Sequence, residues 1–81
     1  MPKKLITVSV PVYNEKENIR PAYERITAVM EGLANYDYEI VYFDDGSTDG
    51  SRERIEALCA EDSRVKAVFY TRNFGYSKTV F

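Results

Sequence analysis

The chain has 81 residues, 44% of them apolar, 30% charged and 14% aromatic, with 11 basic and 13 acidic side chains, one Cys and neither His nor Trp. That length supports one compact domain and excludes a second, since a chain of this size buries only about 60 to 65% of its unfolded surface. A formal charge of -2 leaves no polybasic footprint for nucleic acid or anionic membrane, and Cys59 without His offers neither an internal disulfide nor an ordinary zinc site.

No apolar run reaches the roughly 20 residues of a membrane-spanning helix. Met1-Pro2-Lys3-Lys4 leads only into the short stretch Leu5 to Val12, so neither a span nor a signal peptide is expected and the chain reads as cytoplasmic.

Leu5 to Val12 is β-branched, mostly apolar and interrupted by Pro11, which predicts a first strand buried on both faces. From Glu17 the apolar residues Ile19, Ala22, Tyr23, Ile26, Val29, Met30 and Leu33 recur at spacings of three and four, the stripe of an amphipathic helix. Asn14, Glu15 and Glu17 offer acceptors and negative charge to its first turn, Pro21 requires that it lie in that turn or kink the helix, and Gly32 or Asn35 ends it. Tyr38 to Phe43 is the second strand and runs into Asp44-Asp45-Gly46-Ser47-Thr48-Asp49-Gly50-Ser51, a cluster of turn formers. Ile55, Leu58 and Cys59 mark a second helix, capped from within Ser47 to Ser51, and Val65 to Tyr70 a third strand, followed by a loop over Thr71 to Gly75. The fold class is therefore α/β: a β-α-β-α-β parallel sheet with right-handed crossovers, in three layers.

In such a sheet, ligands bind beyond the carboxyl ends of the strands. The segments there are Pro11-Val12-Tyr13-Asn14-Glu15, Asp44-Asp45-Gly46-Ser47 and Arg72-Asn73-Phe74-Gly75. Carboxylates, an Arg and aromatics on one rim suit a ligand both polar and flat, such as a nucleotide. Adjacent residues leaving a strand point apart, so Asp44 and Asp45 do not form a proton-sharing dyad. One is expected to face the ligand and the other to hold the amides of the turn; the whole segment reads equally as turn and cap chemistry. Tyr13 is placed to stack on a base. Glu15 suits either a ribose or the helix dipole, and Arg72 either a diphosphate or a surface ion pair. Asp49 and Ser51 read as caps, Cys59 as a small core residue, and Tyr36, Tyr38, Tyr42 and Tyr70 as core-edge aromatics. Neither Gly-x-Gly-x-x-Gly nor Gly-Lys-Ser/Thr is present, which sets aside dinucleotide and P-loop readings.

Val10-Pro11-Val12-Tyr13-Asn14-Glu15 with Asn18-Ile19, then Tyr38 to Ser51, then Arg72-Asn73-Phe74-Gly75 together resemble the N-terminal part of a family 2 glycosyltransferase, of the kind acting on bactoprenol or dolichyl phosphate. The resemblance implies a GT-A fold with strand order 3-2-1 and transfer of a hexose, with inversion, from a UDP- or GDP-sugar such as UDP-glucose to an acceptor such as a polyprenyl phosphate. It implies a cell-envelope role at the cytoplasmic face of the membrane. Pro11, Tyr13 and Glu15 would line the base and ribose pocket, Asp44 and Asp45 would hold the base with Asp45 in direct contact, and Arg72 would lie toward the diphosphate. The family's Asp-x-Asp motif for Mg²⁺ or Mn²⁺ and its acidic base have no counterpart here, so no metal ligand or catalytic residue is expected in these residues. Residues 1–81 then form a single truncated, nucleotide-binding portion, inactive alone. The first strand would present a bare edge, which predicts self-association through that edge or through Thr79-Val80-Phe81 of another copy. The alternative function is a non-catalytic assembly or regulatory module that pairs through the same edge.

Overall fold

A computed structural model describes residues 3–71 and 77–80. The elements are β1 (Lys4–Val12), α1 (Lys16–Glu31), β2 (Tyr36–Asp44), α2 (Ser51–Glu61), β3 (Val65–Thr71) and β4 (Ser77–Val80). They form one sheet in the order β1-β2-β3-β4. The first three strands are parallel, in registers that pair Val10 with Tyr42, Pro11 with Phe43 and Asp44 with Phe69. β4 runs antiparallel to β3, pairing Tyr70 with Lys78. This fourth strand is absent from the sequence reading, since four residues alternating Ser, Lys, Thr and Val have too little apolar pattern to announce it; it exists by completing the backbone hydrogen bonds of β3's outer edge.

Both helices pack on the same face of the sheet. Ile40, Tyr42, Ile55, Leu58, Val65, Ala67 and Phe69 are buried between them and the strands, and the period-two alternation of a strand sends the intervening residues to the other face. β1 therefore departs from its expected burial on both sides: Ile6, Val8 and Val10 are half-buried toward the helices, whereas Leu5, Thr7, Ser9 and Pro11 are exposed. Among the described residues the layers number two, one of helices and one of strands.

α1 also differs in detail. Ile19 and Met30 are buried, but Val29 is 66% exposed, because it lies about 80° around the helix from Ile19. Leu33 is past the helix end and is 40% exposed. Gly32 closes the helix in a right-handed conformation, φ -77°, rather than the left-handed cap that glycine usually supplies. Pro21 sits inside the helix, beyond the first turn. The amide it lacks would have bonded the carbonyl of Glu17, an exposed residue.

Two tyrosines tie α1 to its surroundings. The Tyr42 hydroxyl, on a fully buried ring, donates to the Ile19 carbonyl at 3.0 Å. The Tyr23 hydroxyl donates to the Asp62 carboxylate at 2.6 Å, joining α1 to the end of α2. Arg20 and Glu61 add an exposed ion pair at 2.7 Å across the same helix pair.

The loops above β1 and β2 are laced together by side chains from the Asp44 to Ser51 segment. Asp44 accepts from the Ser47 amide at 3.1 Å and also from the Ser47 hydroxyl. The Ser47 hydroxyl oxygen in turn accepts from the Asn14 amide at 2.9 Å, and the Asn14 side-chain oxygen accepts from the Thr48 amide at 2.8 Å. Next, Ser51 Oγ accepts from the Glu15 amide at 3.2 Å, and Asp49 accepts from the Lys16 amide at 3.1 Å. Asp49 also accepts from the amide and hydroxyl of Ser51, at 3.0 and 2.5 Å. The two residues read as caps thus serve the start of α1 as well as that of α2. Asn14 takes φ 49° and Gly50 φ 96° to allow these turns; a short polar side chain and glycine are the residues that tolerate the left-handed region.

Burial first of all pushes the Tyr42 phenol up to about 12, and the hydrogen bond to Asp62 does the same for Tyr23. A phenol raised from an unfolded value near 10 stabilises the fold fully below about pH 10, and that contribution is lost as pH rises through 12. In a spectrophotometric titration, two of the seven tyrosines should ionise late; Tyr42→Phe and Tyr23→Phe should each remove one late phenol, and the denaturation midpoint should fall over the same window.

Ser51 is fully buried, so Ser51→Ala strands the Glu15 amide and should cost about 1 to 2 kcal/mol in urea unfolding. The Ser51 hydroxyl first, then the Lys16 and Ser51 amides, hold the Asp49 carboxyl below its ordinary value. Its contribution is present above the unfolded carboxylate range and lost as pH falls through the lowered value. Asp49→Asn should therefore lower the urea midpoint at pH 7 and flatten its decline in acid.

Candidate functional site

The carboxyl ends of β1, β2 and β3 converge on one rim, and a cleft of about 470 Å³ opens there, lined by Pro11, Val12, Tyr13, Glu15, Phe43, Asp45 and Tyr70. The volume is that of a small-molecule site. The Asp45 amide donates to the Val12 carbonyl at 3.0 Å, which fixes the spacing of the first two strand ends just where their loops diverge. Tyr13 is 53% exposed at the mouth. Pro11, Val12, Phe43 and the two tyrosine rings make most of the lining apolar, and Glu15 and Asp45 supply the charged groups.

Of the residues singled out in the sequence, Pro11, Tyr13, Glu15 and Asp45 lie together on this cleft. Asp44 does not. It is 2% exposed beneath the cleft, with its carboxylate holding the amide and hydroxyl of Ser47. The physical reason is the pleat: Asp44 shares the helix-side face with Tyr42, and Asp45, one residue on, turns the other way. The pair thus divides into one carboxylate on the cleft, Asp45, and one in the turn, Asp44. Arg72 lies outside the described residues.

Phe43 and Tyr70 line the cleft without having been read as site residues. The signal for them is parity: once Pro11 is assigned to the ligand side, register places Phe43 on the same side, and Phe69 buried under α2 sends Tyr70 there too. Tyr38 and Tyr42 are core, and Tyr36 is 41% exposed at the far end of β2. Cys59 is half-buried on α2, and burial raises its thiol further from reactivity.

No group of three or more Cys, Asp or Glu side chains converges as metal ligands among the described residues. Asp44 and Asp49 are engaged by hydroxyls and amides of their own loops. The residues described do not fit a divalent cation, and no chemical step follows through one. No described helix is long and apolar enough to cross a membrane.

Comparison with known proteins agrees with this architecture. The chain is 44% identical over 75 residues to the undecaprenyl-phosphate 4-deoxy-4-formamido-L-arabinose transferase of Pseudomonas fluorescens (strain SBW25), a match covering 91% of this chain and 22% of that protein. It is 41% identical over 73 residues to the transferase of the same name from Aeromonas hydrophila, covering 89% and 22%. The chain thus spans about a fifth of the length of the curated relatives it matches. The model of the family described as "Glycosyl transferase family 2" matches residues 7–80. With its parallel strands, two helices and rim cleft in the arrangement of the N-terminal part of a GT-A fold, the chain belongs to glycosyl transferase family 2.

Proposed function

We propose that the cleft is the nucleotide end of a donor-sugar site and that residues 1–81 form the nucleotide-binding portion of a transferase. The observation that carries this reading is the position and lining of the cleft: apolar and aromatic side chains with two carboxylates, beyond the carboxyl ends of three parallel strands. Asp45 accepts hydrogen bonds from N–H groups on the base edge. Glu15 takes ribose hydroxyls, Tyr13 covers the ring from the mouth, and Pro11 packs below it. Arg72 reaches the diphosphate with its fork of donors.

The donor is a UDP- or GDP-sugar. A polyprenyl phosphate acceptor is supported by the names of the two relatives, which act on undecaprenyl phosphate. The reaction belongs at the cytoplasmic face of the cell envelope, and these residues supply binding rather than turnover.

A second reading is favoured by β1, which pairs on one side only over its nine residues among those described. Self-association or assembly through that edge gives its unpaired amides and carbonyls a partner. The tail does not have to serve another copy: Ser77–Val80 already pairs with β3 of its own chain. Sedimentation should show a reversible dimer at tens of micromolar, an order-of-magnitude range for weak interfaces, and a monomer throughout would remove this reading.

For the donor site, titration of the chain with UDP and with GDP under NMR detection should move the amides of Tyr13, Glu15 and Asp45, with a dissociation constant on the order of 1 mM. Asp45→Ala should weaken binding about tenfold, as expected for a lost hydrogen bond to a charged acceptor. No shift at millimolar concentrations of either nucleotide would refute the site.

A further inference from the structure

Tyr70 has no role in the reading above, yet it lines the cleft. Its direction follows from its neighbour. Phe69 is 2% exposed beneath α2, where the Arg52 guanidinium carbon lies 4.4 Å from its ring centroid, so the next residue along the strand faces the helix-free side. The registers that pair Pro11 with Phe43, and Asp44 with Phe69, bring Pro11, Phe43 and Tyr70 to the ends of three consecutive strands on that one side. Pro11 and Phe43 stand level with Val68, and Tyr70 lies two residues further along β3 on the same side, so three cyclic side chains line the helix-free side of the cleft. Tyr13, Glu15 and Asp45 rise around it from the loops.

A ring-lined floor beside carboxylate-bearing walls selects a particular kind of group. It must be flat, with apolar faces for the floor and hydrogen-bond donors on its rim for the walls. A phosphate has neither, and a pyranose, though it has C–H faces, is a puckered chair and not a flat ring. A nucleobase meets both requirements. We propose that Tyr70 is a specificity-determining binding residue whose ring packs against the nucleobase, locating it one strand beyond the carboxylate of Asp45 that takes the base edge. This inference rests on the nucleotide reading of the cleft and adds to it the residue that seats the ring.

Aromatic–base contacts elsewhere are strong enough that Tyr70→Ala should weaken binding of UDP or GDP by about tenfold or more. Tyr70→Phe should stay within about twofold of the parent chain, because the ring and not the hydroxyl makes the contact. Inorganic pyrophosphate and ribose 5-phosphate, which carry no base, should bind both variants as they bind the parent. Tyr70→Leu keeps an apolar side chain without a π face and should lose most of what Tyr70→Ala loses; it carries the test if the alanine variant unfolds, as judged by NMR dispersion.

The outcomes separate cleanly. If the parent chain binds UDP or GDP and the alanine and leucine variants bind equally well, Tyr70 is not the base contact and the donor-site reading survives. If Tyr70→Phe loses as much as Tyr70→Ala, the hydroxyl is the contact and the ring-packing proposal is wrong. If the parent binds neither nucleotide, both the donor-site reading and this inference fall.

Discussion

The site depends on one set of interactions, the side-chain lacing of the two loops above β1 and β2. A parallel pair leaves its strand ends to wander, because each strand enters a separate helix and no tight turn joins them. Here the short side chains of Ser47, Asp49 and Ser51 reach across to the backbone of Asn14, Glu15 and Lys16, Asp44 holds Ser47 in place, and Asn14 reaches back to Thr48. The amides thus engaged include those at the start of α1, which no residue of that helix satisfies. One network therefore serves two needs, capping a helix and fixing the distance between the loops that frame the cleft. Tyr13 and Asp45 are presented from this braced rim.

The serine and aspartate side chains in that network are local in reach but long-range in sequence. Asp49 and Lys16, or Ser51 and Glu15, stand more than thirty positions apart. This explains how far the sequence could be read. The apolar periods of β1, α1, β2, α2 and β3 depend on neighbours within a few residues, so their existence and order were legible, as was the meeting of three polar strand ends on one edge. An Asp before a helix is a cap signal for that helix, and one Asp49 oxygen does take the first amide of α2; nothing in the pattern says that its other oxygen serves a different helix.

The side of the sheet was harder to read than its order. An apolar run such as Leu5 to Val12 looks buried on both faces, because β-branched residues are used on either. Only the placement of α1 and α2 together on one side shows that Leu5 at 60% exposed belongs to the other. The same parity decides Asp44 against Asp45, and it hides Tyr70, whose composition as a strand aromatic suggests core. β4 was invisible for a different reason: its pairing with β3 is a backbone interaction that its short run of alternating residues does not announce.

The two faces of these strands have separate duties. Toward the helices, Val12, Tyr42, Ala67 and Phe69 fill the core; on the reverse, Pro11, Phe43 and Tyr70 floor the cleft, each next to a core residue in the chain. The alternation of the strand thus sends consecutive side chains to opposite sides, one into the core and the next onto the cleft. The lining of the cleft can therefore change from one residue type to another while the core side chains behind it keep their packing partners.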